Sequence, residues 1–168
     1  LPTLLADYDG RWSLLAAQAI TVFFILRAVG RFLATAILSR FCWSSVMAVF
    51  TLCIFICFAA SMLGGKDVAV WLMPLSGLFM SMIYPTLNSK GISCFNRQQH
   101  GAVAGLILAF TALAAAVAPA LMAIMGDIAN DVTAGFYLAT LFSAMLAVAM
   151  LYNWLKQPAK ARLEQMAD

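Results

Sequence analysis

The sequence predicts an all-α protein, a polytopic bundle of five transmembrane helices. Of the 168 residues, 64% are hydrophobic and only 10% are charged, with a mean hydropathy of +0.94. A soluble domain has about 25% charged residues, so a water-soluble globule is excluded because too few polar residues remain to cover its surface. The long runs are apolar on every side, whereas the strands of a membrane barrel alternate apolar and polar residues.

Five apolar stretches define the spans of a single transmembrane domain, residues 1–168. They cover residues 12–38, 44–63, 68–89, 101–125 and 134–155. Each is long enough to cross a bilayer, since roughly 20 residues suffice at a rise of about 1.5 Å per residue. The breaks between them are short and rich in glycine and charged residues, and residues 156–168 form a polar, charged tail.

The placement of Lys and Arg predicts the orientation, because basic residues near span ends favour the cytoplasm. One side has only Arg11 and Lys66. The other side collects Arg40, Lys90, Arg97, Lys156, Lys160 and Arg162. The expected localisation is a cell inner membrane, with the N-terminus outside and the C-terminal tail in the cytoplasm.

The first span contains two arginines, Arg27 and Arg31, one helical turn apart. An arginine at the centre of a spanning helix costs about 2.5–3.5 kcal/mol, so this helix is expected to be packed by others and to line a path. Arg27 lies near mid-span, where a guanidinium can bind hydroxyl groups or a carboxylate. Three interpretations stay open: Arg27 binds an anionic solute, pairs with a carboxylate elsewhere, or extends to the membrane surface.

The third span contains two prolines, Pro74 and Pro85, and predicts an interrupted helix because proline lacks a backbone donor. Tyr84 and Asn88 lie beside Pro85. Polar side chains next to a kink commonly form a midplane binding site in a transporter. The alternative is a structural kink whose hydroxyls bond back to the helix.

The fourth span is rich in small residues, which predicts that one face lies tight against a neighbouring helix. The alternative is that alanine acts as apolar filler. The small residues are Gly101, Ala102, Ala104, Gly105, Ala112, Ala114, Ala115, Ala116, Ala118 and Ala120.

The chain offers little for catalysis or metal binding. Cys53 and Cys57 are four residues apart in an apolar span, where a thiol usually packs as a small hydrophobe. No His or further Cys stands near them for a metal, and the spans lack a base for nucleophilic chemistry. The sequence therefore predicts no enzyme, no metal, no cofactor and no nucleic-acid partner.

Two motifs resemble a known family. GRFLATAILSRF at residues 30–41 is similar to the cytoplasmic end of helix eight in fucose-permease-like sugar transporters of the major facilitator superfamily. FMSMIYPTLNSKGI at residues 79–92 is similar to helix ten of that family. On this resemblance Gly30, Arg31, Arg40 and Pro85 are expected to be gating or structural motif residues.

The resemblance implies a fold of twelve helices in two halves, with this chain similar to helices eight to twelve. The chain is then expected to be part of the C-terminal half, with further N-terminal helices of the same chain as its partner. It also implies secondary active transport, by proton symport, of a monosaccharide or sugar derivative. Because no acidic residue lies in the predicted spans, the proton-coupling group is expected in the preceding helices.

The sequence departs from the family at Arg27, Asn88 and Lys90, which replace apolar residues. The expected substrate-binding residues are Arg27, Tyr84 and Asn88. With Arg27 among them, the resemblance implies a sugar acid or another anionic sugar derivative as the solute. Two other functions stay open: transport of a different small solute, including an anionic one, and a membrane sensor that transports nothing.

Overall fold

The computed structural model describes residues 10–131, 133–158 and 163, and over these residues the chain is helical and contains no strand. A 3-10 turn, Arg97–Gln99, precedes the sixth helix. In order, the α-helices are α1 Ser13–Ala17, α2 Ala19–Leu38, α3 Trp43–Leu63, α4 Gly65–Met80, α5 Ile83–Ser93, α6 His100–Ala129 and α7 Ala134–Lys156.

Five segments are long and apolar enough to cross a membrane, which confirms the all-helical, five-span prediction at this level. They are Ala19–Leu38, Trp43–Leu63, Gly65–Ser93, Arg97–Ala129 and Ala134–Lys156. The first is shorter than its predicted span because the helix is interrupted at Gln18. α6 continues four residues beyond the predicted end at residue 125. Most of the predicted tail, residues 156–168, lies outside the described residues.

The third span is broken between α4 and α5, at Ser81 and Met82. Pro85 is the third residue of α5, and a proline ring clashes with the carbonyl four residues earlier, here that of Ser81. The first turn of a helix has no internal partners for its N–H groups, so Pro85 removes no hydrogen bond from α5. Pro74 lies inside α4 without ending it. The break therefore precedes Pro85 by one turn.

α4 lies between α2 and α3, α3 packs in turn against α7, and α6 packs mainly against α7 and α5. Two glycines allow α2 and α4 to approach closely. A Cβ atom on Gly30 would lie 2.6 Å from the Leu78 carbonyl oxygen, and one on Gly77 would lie 2.6 Å from the Phe23 carbonyl oxygen. Both distances are too short for any side chain, so this contact requires glycine at both positions.

Most of the small residues of α6 do not make the close contact that its composition predicts. The close approach of α6 to α7 uses a glycine of α7 instead, since a Cβ atom on Gly135 would lie 2.7 Å from the Met122 carbonyl oxygen. None of the described residues of α6 is buried. A Cβ atom on Gly101 or Gly105 would meet nothing within 4 Å. Of the small residues that were predicted to pack, only Ala104 and Ala118 are half-buried. Among the described helices, no neighbour covers the exposed face of α6 that contains Gly101 and Gly105.

Apart from Arg27 and Arg31, which lie within α2, the described charged side chains lie at the two ends of the bundle. We call one the Arg40 end; its described basic residues are Arg40, Lys90, Arg97 and Lys156. We call the other the Asp67 end; its described charged residues are Arg11, Lys66, Asp67, Asp127 and Asp131. At the Arg40 end Asn153 Nδ2 donates a hydrogen bond to Ser44 Oγ, with 3.2 Å between the two atoms. This bond joins the end of α7 to the start of α3.

Candidate functional site

A cleft of about 680 Å³ lies between α3, α5, α6 and α7; we call it the Asn88 cleft. Most of its lining side chains are apolar, and its polar ones are Tyr84, Asn88, Thr111 and Ser143. Cavities that bind small molecules typically combine apolar walls with a few polar groups of this kind. Tyr84 and Asn88 are four residues apart on α5, which places both on one face of that helix.

Asn88 is the unusual polar group of this cleft. Its Oδ1 atom is buried and has no hydrogen-bond partner among the described residues. By contrast, the Thr111 hydroxyl donates to the Ile107 carbonyl at 2.7 Å, and the Ser143 hydroxyl donates to the Thr140 carbonyl at 2.7 Å. A buried acceptor without a donor costs about 1–3 kcal/mol, so a ligand that donates to Asn88 would recover that energy.

A second cleft, of about 810 Å³, lies between α2, the connection from α2 to α3, and α5; we call it the Lys90 cleft. Arg31 and Lys90 both line it. Tyr84 lines this cleft as well as the Asn88 cleft, so the two are adjacent across that side chain.

Arg27 lies apart from both clefts. Its guanidinium carbon is 6.0 Å from the centre of the Phe23 ring, one turn earlier on α2. Cation–π contacts of this kind are worth about 0.5–1 kcal/mol where exposed. Arg27 is not among the described residues that line either cleft. The structure therefore brings Tyr84 and Asn88 together and leaves Arg27 separate from them.

The residues of the resembling motifs take different positions. Gly30 is buried in the contact between α2 and α4, whereas Arg31, next to it, faces the Lys90 cleft. Pro85 lies in the first turn of α5 and also lines the Lys90 cleft. Arg40 is exposed in the connection after α2.

The sequence showed Lys90 only as a difference from the family that the two motifs resemble, and it did not place Lys90 in a cleft with Arg31. It also did not reveal the bond between Asn153 and Ser44. The available signal was Asn153, a polar residue one turn from the end of an apolar span. Its partner, Ser44, lies 109 positions away in the sequence.

The described residues contain no group of three or more His, Cys, Asp or Glu side chains arranged to hold a metal ion. The four cysteines are free thiols. Cys57 is buried and Cys53 is half-buried within α3.

Comparisons of this chain with models of protein families, with curated proteins and with solved structures return no match. The resemblance to major facilitator sugar transporters therefore depends on the two motifs in the sequence.

Proposed function

We propose that this chain forms the part of a major facilitator transporter that resembles helices eight to twelve, and that the transporter moves a monosaccharide or sugar derivative by proton symport. The observation that carries the proposal is the unpaired, buried Oδ1 atom of Asn88, a residue that lines the Asn88 cleft on the helix that follows the break. Broken helices near the middle of a span commonly supply the binding groups of secondary transporters.

The chemistry of the Asn88 cleft suits a sugar. Sugar hydroxyls donate and accept hydrogen bonds, so one of them can donate to Asn88 Oδ1 while another contacts the Tyr84 hydroxyl. The apolar side chains around these two residues suit the C–H faces of a sugar ring. The binding site proposed here is therefore centred on Tyr84 and Asn88.

Two further parts belong to the proposal. The described acidic residues, Asp67, Asp127 and Asp131, lie at one end of the bundle and not beside the cleft. The carboxylate that couples transport to protons is therefore assigned to preceding helices of the same chain, which also supply the other half of the site. Alternating access arises as the two halves rock about that site.

The test is uptake of labelled fucose, galactose and glucose into vesicles that contain the complete gene product, with and without a proton gradient. Asn88→Leu removes the acceptor, and Thr140→Val is the control because the Thr140 hydroxyl is bonded to the Phe136 carbonyl of its own helix and Thr140 is not among the described residues that line either cleft. We expect Asn88→Leu to lower uptake by about tenfold or more, since a lost hydrogen bond in a dry site is worth 1.4 kcal/mol or more. Thr140→Val should remain within about twofold of the original protein.

Absence of uptake for these neutral sugars and also for glucuronate and glucose 6-phosphate, with folded protein in the vesicles, would contradict sugar transport. Sugar binding that persists without uptake would instead identify a membrane sensor.

A further inference from the structure

Arg31 and Lys90 bring two positive charges to one cleft from different spans. Arg31 comes from the second half of α2, and Lys90 comes from the last turn of α5. None of the described residues that line this cleft is acidic. The described acidic residues, Asp67, Asp127 and Asp131, lie at the opposite end of the bundle. Within the described chain, the two cations therefore share a cleft without a carboxylate.

This arrangement is unfavourable until an anion binds. Placing a single Arg or Lys within a span is most costly at the centre of the membrane and less costly near a helix end, where Lys90 lies. Two like charges facing one cleft also repel each other, and more strongly than in water because the surroundings are less polar. A bound carboxylate or phosphate would offset both effects through charge-assisted hydrogen bonds.

The rest of the cleft suits the polyol part of an acidic sugar. The exposed hydroxyl-bearing residues Thr35 and Ser89 line it together with the two cations. The Thr35 hydroxyl donates to the Phe32 carbonyl at 2.7 Å. The lone pairs of the Thr35 oxygen can therefore accept hydrogen bonds from a ligand. Tyr84 connects this cleft with the Asn88 cleft.

We propose that the transported solute is an acidic sugar derivative and that Arg31 and Lys90 bind its anionic group at the Arg40 end of its path. The inference rests on the proposed function, because it names the substrate class of that transporter. It assigns the counter-ion role to Arg31 and Lys90 and not to Arg27, whose guanidinium lies over the Phe23 ring and lines neither cleft among the described residues.

The test compares uptake of glucose, glucuronate and glucose 6-phosphate by vesicles that contain the complete gene product. The central variant is Lys90→Met, with Lys90→Arg as the variant that retains the charge and Arg27→Gln as the matched control. We expect uptake of an anionic solute to exceed that of glucose. Lys90→Met should lower it by about 10- to 100-fold, because a hydrogen bond to a charged group is worth about 1.5–3 kcal/mol.

Lys90→Arg should restore most of that uptake, and Arg27→Gln should leave it within about twofold. Whether glucuronate or glucose 6-phosphate enters decides between a carboxylate and a phosphate. If Lys90→Met fails to fold, uptake of the same anion by Arg31→Gln tests the site instead.

Entry of glucose without entry of either anion would overturn this inference and leave the proposed function standing. Loss of anion uptake in Arg27→Gln but not in Lys90→Met would overturn the assignment of the residues. If no solute enters, the proposed function fails, and the anion site is tested separately by thermal unfolding of the purified protein. A glucuronate-dependent rise in melting temperature that Lys90→Met abolishes supports the site, and no rise overturns it.

Discussion

The contact between α2 and α4 and the exposed face of α6 contain the same kind of small residues in opposite surroundings. Gly30 and Gly77 are buried against the opposing helix, with no room for a Cβ atom. Gly101 and Gly105 have nothing within 4 Å of an added Cβ. A small residue therefore permits close approach of two helices, but the partner decides whether the approach takes place.

The partner surfaces explain this difference. In the packed contact, Ser81 and the Leu78 carbonyl lie against Gly30, and the Phe23 ring and carbonyl lie against Gly77. Each helix presents a backbone group to the glycine of the other, which gives the contact a single register. The exposed face of α6 has no such pairing within the described chain.

Substitution of Gly30 provides the strongest test of this comparison. Gly30→Ala places a methyl group 2.6 Å from the Leu78 carbonyl oxygen, and the backbone cannot move aside as a side chain can. We expect a loss of about 1–3 kcal/mol from the overpacked contact. Thermal unfolding of the detergent-solubilised protein, followed by size-exclusion chromatography, measures it.

Gly105→Ala is the control for Gly30→Ala, because it adds the same methyl group where nothing lies within 4 Å. Alanine favours a helix over glycine by about 1 kcal/mol, so this variant should be unchanged or more stable. Equal melting temperatures for the two variants would show that the distinction between packed and exposed glycines is wrong.

Loss of the hydrogen bond between Asn153 and Ser44 should change the stability less, since this bond joins only the end of α7 to the start of α3. Hydrogen bonds between membrane helices average about 0.6 kcal/mol in double-mutant cycles. We expect Asn153→Ala, Ser44→Ala and the double variant to give a coupling energy of about that size. Strictly additive effects on unfolding would mean that the two side chains do not interact.

The smallest effect concerns the turn that joins α6 to α7, where Asp131 accepts hydrogen bonds from the hydroxyl and the backbone N–H of Thr133. The hydroxyl bond, and then the backbone bond, lower the pKa of the Asp131 carboxyl below its ordinary value. A carboxyl with a lowered pKa stabilises the folded protein above its ordinary pKa, and this contribution is lost as the pH falls through the folded value.

Thr133→Val removes the larger of the two causes, so the pKa of Asp131 should move up toward its ordinary value. Titration of the Asp131 carboxyl by NMR in micelles measures this, with Thr140→Val as a control because the Thr140 hydroxyl bonds to the Phe136 carbonyl within α7. If Asp131 titrates in the same way in Thr133→Val, the hydrogen bond from the Thr133 hydroxyl does not lower its pKa.

Composition was sufficient to predict five apolar helices, because hydropathy and length alone decide whether a helix can cross a bilayer. The contacts between the helices were harder to predict from the sequence. Every span is apolar on most sides, so periodicity did not reveal that Arg27 lies over Phe23 while Arg31 faces a cleft. The prolines indicated a break in the third span, but its position depends on which carbonyl each proline ring would meet.

The length of α6 has a consequence for the surrounding lipid. Its 30 residues extend about 45 Å at 1.5 Å per residue, whereas the hydrocarbon core of a bilayer is about 30 Å thick. The 21 residues of α3 extend about 32 Å and match that thickness closely. α6 must therefore tilt or extend its ends into the headgroup region, and the lipid chain length influences which of these it does. Because Ile107 and Thr111 of α6 form one wall of the Asn88 cleft, that wall belongs to the helix most sensitive to membrane thickness.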